Sequence, residues 1–329
     1  MADLAAQASA GGIVGVAVVP SAPLLVAATA GSAPPQAADV RSRALQALAS
    51  LPAADVLVLL AGDRAGAVRD GPLRADLAAI GLPGIELEAK GYEGAGLMAD
   101  ALGYALEGPG RLPLDLAVLT LLAASASGAT RAGGFDDADR ARPRSPAHLA
   151  VDGLTPLAVD GARAATDAPS RSSPPPTQAE RLPPVAAICV PRERAFDELS
   201  ANGATLAAWL AAEGLRAAVV AAGDLSAALR PSAPVFLAEG SRPWDEQALA
   251  AIRGDLGALR ALGPAEALRV GARGWPALAA LHGMLAAAGR RLRAPWYSAH
   301  CGVGYAVACD AEGPPEGRHP QSDRAPRDD

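Results

Sequence analysis

Three stretches of this chain put reactive side chains directly after an apolar, strand-like run: Pro20-Ser21-Ala22-Pro23, Gly62-Asp63-Arg64 and Gly223-Asp224-Leu225-Ser226. In an open α/β sheet, ligands bind outside the carboxyl ends of the strands, so these loops are the first places to look for chemistry. Asp63 and Asp224 each follow a buried strand and a glycine. Two carboxylates facing one crevice would serve as metal ligands or as an acid/base pair. The plainer reading is that each caps the turn or helix that follows it. Ser21 and Ser226 have the chemistry of nucleophiles, but neither lies in a Gly-x-Ser-x-Gly elbow and no motif ties a histidine to them. They read as turn serines.

The chain has four histidines, His148, His282, His300 and His319. His148 falls in a low-complexity insertion and His319 in a polar tail, so neither is expected to be a preorganised ligand. His282 sits in an apolar helical pattern with Leu278, Leu281 and Leu285 and reads as a satisfied core or interface residue. His300 lies between Pro295-Trp296-Tyr297 and the turn Cys301-Gly302-Val303-Gly304-Tyr305, which makes it the histidine to test first. Gly302-Val303-Gly304 lacks the third glycine and the following helix of a dinucleotide fingerprint. Its glycines are expected to allow close backbone approach where a strand begins. Cys189, Cys301 and Cys309 are odd in number and widely spaced, the pattern of reduced, buried thiols in a cytoplasmic protein.

Composition limits what can position these groups. The 329 residues are 50% hydrophobic with a net charge of −6, enough to bury a large core. Aromatics are only 3%, so that core must be filled by alanine, valine and leucine between helices and sheet. Lys90 is the only lysine, and the arginines form no basic face to meet phosphate charge, which argues against nucleic acid. The apolar run from Ile13 to Ala30 is preceded by Asp3 and by no Lys or Arg, and Pro20 and Pro23 interrupt it. It is expected to be a first core strand and not a signal peptide or membrane segment.

The hydrophobic pattern predicts strands over Ile13 to Val19, Asp55 to Leu60, Val185 to Val190 and Leu215 to Ala221, each continuous in its apolar character as in a parallel sheet covered on both faces. Helices over about 36–50 and 196–213 complete two βαβ units. Further helices are predicted over Gly94 to Leu106, Leu114 to Ala124, Pro243 to Arg253 and Trp275 to Ala288. The second of these is too apolar all round to lie on a surface. A short strand is expected at Ile85 to Leu87, with closing strands at Leu292 to Tyr297 and Val303 to Cys309. Residues 1–12, about 125–184 and 311–329 are rich in Gly, Pro, Ser, Asp and Arg or in isolated alanine and are expected to be disordered. The expectation is therefore one α/β domain over 13–310, a central, mostly parallel sheet flanked by helices and interrupted by that insertion.

Four blocks in order carry a resemblance: Val19-Pro20-Ser21-Ala22-Pro23-Leu24-Leu25-Val26, Leu112-Pro113-Leu114, Gly223-Asp224-Leu225-Ser226 with Ala233-Pro234, and Gly302-Val303-Gly304-Tyr305. Together they resemble the catalytic B subunit of class III extradiol ring-cleavage dioxygenases of actinobacteria, over about 13–124 and 185–310. The resemblance implies an α/β fold and, in active members, a ferrous iron held by two histidines and a glutamate, with a further histidine as acid/base. Such a triad leaves positions open for substrate and oxygen. In this chain the first histidine falls at Ser21, the loop after the second strand has Asp63 but no histidine, the acid/base falls at Ala227, and the late carboxylate is replaced around Ser298. Serine and alanine cannot stand in for imidazole on iron.

These departures lead to the expectation of a divergent relative without ring-cleaving activity or a bound cofactor. It would keep a crevice around Pro20, Ser21, Asp63, Asp224, Ser226, Ser298, His300 and Tyr305 for a small molecule or a protein partner, as a possible homo-oligomer. The alternative is an active oxygenase or hydrolase that holds Fe2+ with Asp63, Asp224 and His300. It requires those side chains within ~5 Å of one point, because such ligands bind at about 2.0–2.2 Å.

Overall fold

The computed structural model describes residues 11–26, 35–127, 182–234, 237–293, 295–300 and 302–310. The insertion expected over about 125–184 lies outside the described residues from 128 to 181, as do residues 1–10 and 311–329. Its borders are tighter than the composition predicts, because a helix continues through Ala126 and residues 182–184 lead directly into a strand.

Eleven strands are described: β1 Gly12–Val19, β2 Val56–Asp63, β3 Ala67–Arg69, β4 Leu73–Leu77, β5 Leu82–Ala89, β6 Ala105–Glu107, β7 Gly110–Arg111, β8 Val185–Pro191, β9 Arg216–Ala222, β10 Trp296–His300 and β11 Val303–Cys309. The helices are α1 Pro35–Ala49, α2 Ala95–Leu102, α3 Leu114–Ala126, α4 Phe196–Ala212, α5 Ser241–Arg253, α6 Gly263–Arg269 and α7 Trp275–Ala288, with short 3-10 turns at Pro23–Leu25, Ala78–Ile80 and Leu256–Ala261. Eight strands form one mixed, mostly parallel sheet in the order β10-β11-β1-β9-β2-β8-β3-β6. The parallel core is β1, β9, β2 and β8, and the β10–β11 hairpin adds antiparallel to β1. A small second sheet has the order β5-β4-β7.

The four core strands are built from alanine, valine, leucine and isoleucine and are buried along almost their whole length, as strands covered on both faces must be. Helices α1 and α3 pack together on one face, and α4 and α7 on the other. Helix α3 touches β2, β8 and β9 on one side and β4 and β5 on the other. Enclosure between two sheets is why it needs no polar stripe.

Several predicted elements change. The helix expected over Gly94 to Leu106 stops at Leu102, because Gly103 turns left-handed at φ 62°, and residues 105–107 become β6. The strand expected over Leu292 to Tyr297 begins instead at Trp296 and runs to His300. Strands β3 and β7 are too short for a periodic signal in the sequence, and β4 and the segment Leu256–Arg269, which divides into a 3-10 turn and a seven-residue helix, are further elements that the sequence reading does not include.

The α4–α7 crossing depends on two glycines. A Cβ on Gly283 would lie 1.7 Å from the Ser200 carbonyl oxygen, and one on Gly203 would lie 1.8 Å from that of Ala280. The two helix backbones are therefore in direct contact. Gly to Ala in a helix interior ordinarily gains roughly 0.5–1 kcal/mol, but here the clash prevails. Gly283→Ala is expected to lower unfolding free energy by about 1–3 kcal/mol, read from the midpoint of urea unfolding.

Candidate functional site

Parallel pairing of β1 with β9 sets Val19 opposite Ala222. Two residues further along each strand come Ser21 and Asp224, so the register places them side by side beyond the sheet. The Ser21 amide donates to Asp224 Oδ2 at 2.7 Å, and the Ser21 hydroxyl donates to the same oxygen. Gly274, just before α7, donates its amide to the Asp224 carbonyl at 2.7 Å. A Cβ on Gly274 would lie 2.6 Å from the Ala222 carbonyl oxygen, so only glycine lets this loop close over the end of β9.

Asp115, in the first turn of α3, completes the cluster. It is the single charged residue in a 13-residue helix, is buried, and pairs with Arg273 at 2.9 Å. Burial pushes its carboxyl up to about 6, and Asp224 nearby adds to the rise while Arg273, Arg192 and the Ser21 hydroxyl oppose it. Burial also raises Asp224, against the hydrogen bonds from Ser21 and the charge of Arg273. Ser21 thus lies between two buried acids, both with raised proton affinity, the condition in which carboxyl groups exchange protons near neutral pH.

These groups form the polar end of a cavity of about 610 Å3. Ser21, Asp115, Asp224, Arg192 and Arg273 supply its polar surface, and Pro23, Leu24, Pro234, Leu268, Trp275 and Tyr305 are among its apolar walls. A concave, mainly apolar space with a few convergent polar groups has the form of a small-molecule site, and its volume lies within the range of such sites.

Of the residues predicted from sequence, Ser21, Asp224 and Tyr305 line this cavity. Pro20 and Ser226 are buried beside it, and neither contributes to its lining among the described residues. Asp63 caps its own turn by accepting from the Arg64 amide at 2.7 Å, and it faces the Cys189 thiol. Burial, then the Asp63 charge, push that thiol up to about 12, which leaves it unreactive. Asp63 and Asp224 therefore have separate surroundings, and the second carboxylate beside Asp224 is Asp115.

Ser298 is paired with Tyr305 in the β10–β11 hairpin, and His300 ends β10 opposite Val303. The His300 side chain lies outside the described residues, as do Cys301, His148 and His319. His282 packs its ring on Phe196 at 5.3 Å and sits 3.7 Å from Asp255. Asp224 does not cap a helix; its carboxylate bonds across the sheet to Ser21.

Ser226 donates its amide to buried Asp245 at 2.9 Å, and the Tyr297 hydroxyl donates to the same carboxylate at 2.6 Å. A Cβ on Gly304 would lie 2.1 Å from Asp245 Oδ2. Asp245 therefore pins α5, the β9 loop and the hairpin together.

No protein-family model and no curated protein matches this chain.

The cavity's donor set does not fit ferrous iron. Among the described residues it consists of two carboxylates and the hydroxyls of Ser21 and Tyr305, one carboxylate bonded by Ser21 and the other paired with a guanidinium, whereas the iron triad needs two imidazoles and a carboxylate. Among the described residues, no three His, Cys, Asp or Glu side chains converge as metal ligands.

Sequence reasoning missed Asp115, Arg192 and Arg273. The available signals were a lone carboxylate in an otherwise uncharged helix and two arginines adjoining element ends, Arg192 directly after β8 and Arg273 two residues before α7.

The raised Asp115 has a thermodynamic consequence. Between 3.8, its ordinary value, and about 6, the folded chain holds a proton that the unfolded chain has released. Stability therefore falls as pH rises through this window, by about 3 kcal/mol for this group, and Asp224 acts in the same direction. Urea unfolding of Asp115→Asn at pH 4, 5, 6 and 7 is expected to show a shallower decline than the wild-type chain.

Proposed function

We propose that this chain is a divergent class III extradiol dioxygenase-like protein that binds a small molecule in the Ser21–Asp115–Asp224 cavity and does not cleave aromatic rings. The observation that carries this reading is the identity of the groups at the cavity's polar end. Ser21, where the resemblance puts the first iron-binding histidine, is engaged with Asp224. Two arginines stand where a metal cation would be repelled, Arg273 within 2.9 Å of Asp115 and Arg192 close enough to influence it.

The coarse architecture is compatible with the resemblance: a large, mostly parallel sheet flanked by helices, with a site at the carboxyl ends of adjacent strands. No helix among the described residues is long and apolar enough to cross a membrane. The small-molecule reading is favoured over a protein partner because the candidate groups line a concave space, which suits a compact ligand.

What remains to the cavity's own residues is binding and proton exchange. Asp115 and Asp224, linked through the Ser21 hydroxyl, can hold or pass a proton to a polar group of the ligand, while Pro23, Leu24 and Trp275 exclude water from its apolar part.

Anaerobic purification followed by elemental analysis and oxygen-uptake measurement with catechol tests this reading. Substoichiometric iron and no substrate-dependent uptake are expected. Stoichiometric iron that is lost in Asp63→Ala or His300→Ala would instead establish the improvised metal site and overturn the proposal.

A further inference from the structure

The two arginines of the cavity differ in one respect. Arg273 is neutralised by Asp115 at 2.9 Å, whereas among the described residues no carboxylate lies within ion-pairing distance of Arg192. Arg192 follows β8 directly, and its side chain crosses over Gly62, where Nη2 donates to the Gly62 carbonyl at 3.1 Å. Its Nε is buried with no hydrogen-bond partner among the described residues. A buried donor on a charged group that is left unmatched costs free energy, and other atoms of the same residue line the cavity. Asp224 is already bonded by the Ser21 amide and hydroxyl. Among the described residues, Arg192 is therefore the guanidinium of the polar end with no carboxylate in direct contact, its charge reaching Asp115 only at longer range.

Building on the reading of this cavity as a ligand site, we infer that it takes a monocarboxylate with a compact apolar body, the carboxylate held by Arg192 and the body lying among Pro23, Leu24, Pro234, Pro264, Leu268 and Trp275. A guanidinium offers a planar pair of donors that matches a carboxylate. A single charge suits the site because, among the described residues, one of its two guanidiniums has no carboxylate in contact, while a phosphate dianion would leave a second charge unmatched in apolar surroundings. The walls are proline, leucine and tryptophan, so the rest of the ligand must carry little polarity.

Octanoate and its neutral isostere octanamide serve as probes, each titrated by ligand-observed NMR at pH 7.5 against the full chain, Arg192→Gln and Arg192→Lys. Glutamine keeps a donor for the Gly62 carbonyl, and thermal unfolding of each variant checks the fold. Octanoate is expected to bind the wild-type chain at least about tenfold more tightly than octanamide. That preference is expected to disappear in Arg192→Gln, with octanamide changed less than about twofold, and to return in part in Arg192→Lys. Equal binding of the two probes, unaffected by Arg192→Gln, would overturn the carboxylate assignment and leave the cavity reading standing. Binding of neither probe to the folded wild-type chain would remove both.

Discussion

Everything at the candidate site follows from one buried carboxylate. Asp224 lies two residues beyond the last paired position of β9, and Ser21 lies two residues beyond its partner position on β1. The hydrogen bonds between them therefore tie the two adjacent strands together just beyond their last paired residues. Taking a carboxylate out of water is costly, and two donors from Ser21 only partly offset that cost. The residual cost on the charged form is expressed as raised proton affinity at Asp224, and Asp115, raised chiefly by its own burial, is pushed further by the neighbouring Asp224 charge.

This concentration of polar groups stands out because the rest of the interior has so few. The core is small aliphatic side chains, and close packing is achieved by bringing backbones together, as where Gly203 and Gly283 let α4 and α7 touch. The buried acids are placed at junctions between elements. Asp224 joins β1 to β9, Asp115 joins α3 to the loop before α7, and Asp245 joins α5 to the β10–β11 hairpin. The first two border the cavity. The third lies behind it, fully engaged by Tyr297 and Ser226, and acts as a structural pin.

Much of the fold was legible. Continuous apolar runs such as Val185 to Val190, too short for a typical helix, read as strands buried on both faces, and the α3 pattern required burial all round. Short elements were not legible, since a three-residue strand such as β3 has no period to read and is created by its neighbour β8. Within the site, Ser21 and Asp224 were found by their position at strand ends. Asp63 shares that position, yet it turns to its own backbone and to Cys189. Asp115 escaped notice because its one local signal, a lone carboxylate in an otherwise uncharged helix, is equally met by an ordinary acidic residue that favours the first turn of a helix.

By itself the sequence determined a mostly parallel α/β core and the loops at the ends of its strands. These are matters of residue type and short-range period, and local physics decides them. Only the tertiary structure decided which carboxylates meet, because Asp115 and Asp224 are 109 positions apart in a chain of 329 and are brought together by strand register and by the closing of the Gly274 loop over β9. The same packing distinguished Arg273, which acquired a carboxylate, from Arg192, which has none in contact among the described residues. That distinction depends on distances across the fold, to which composition and spacing are blind.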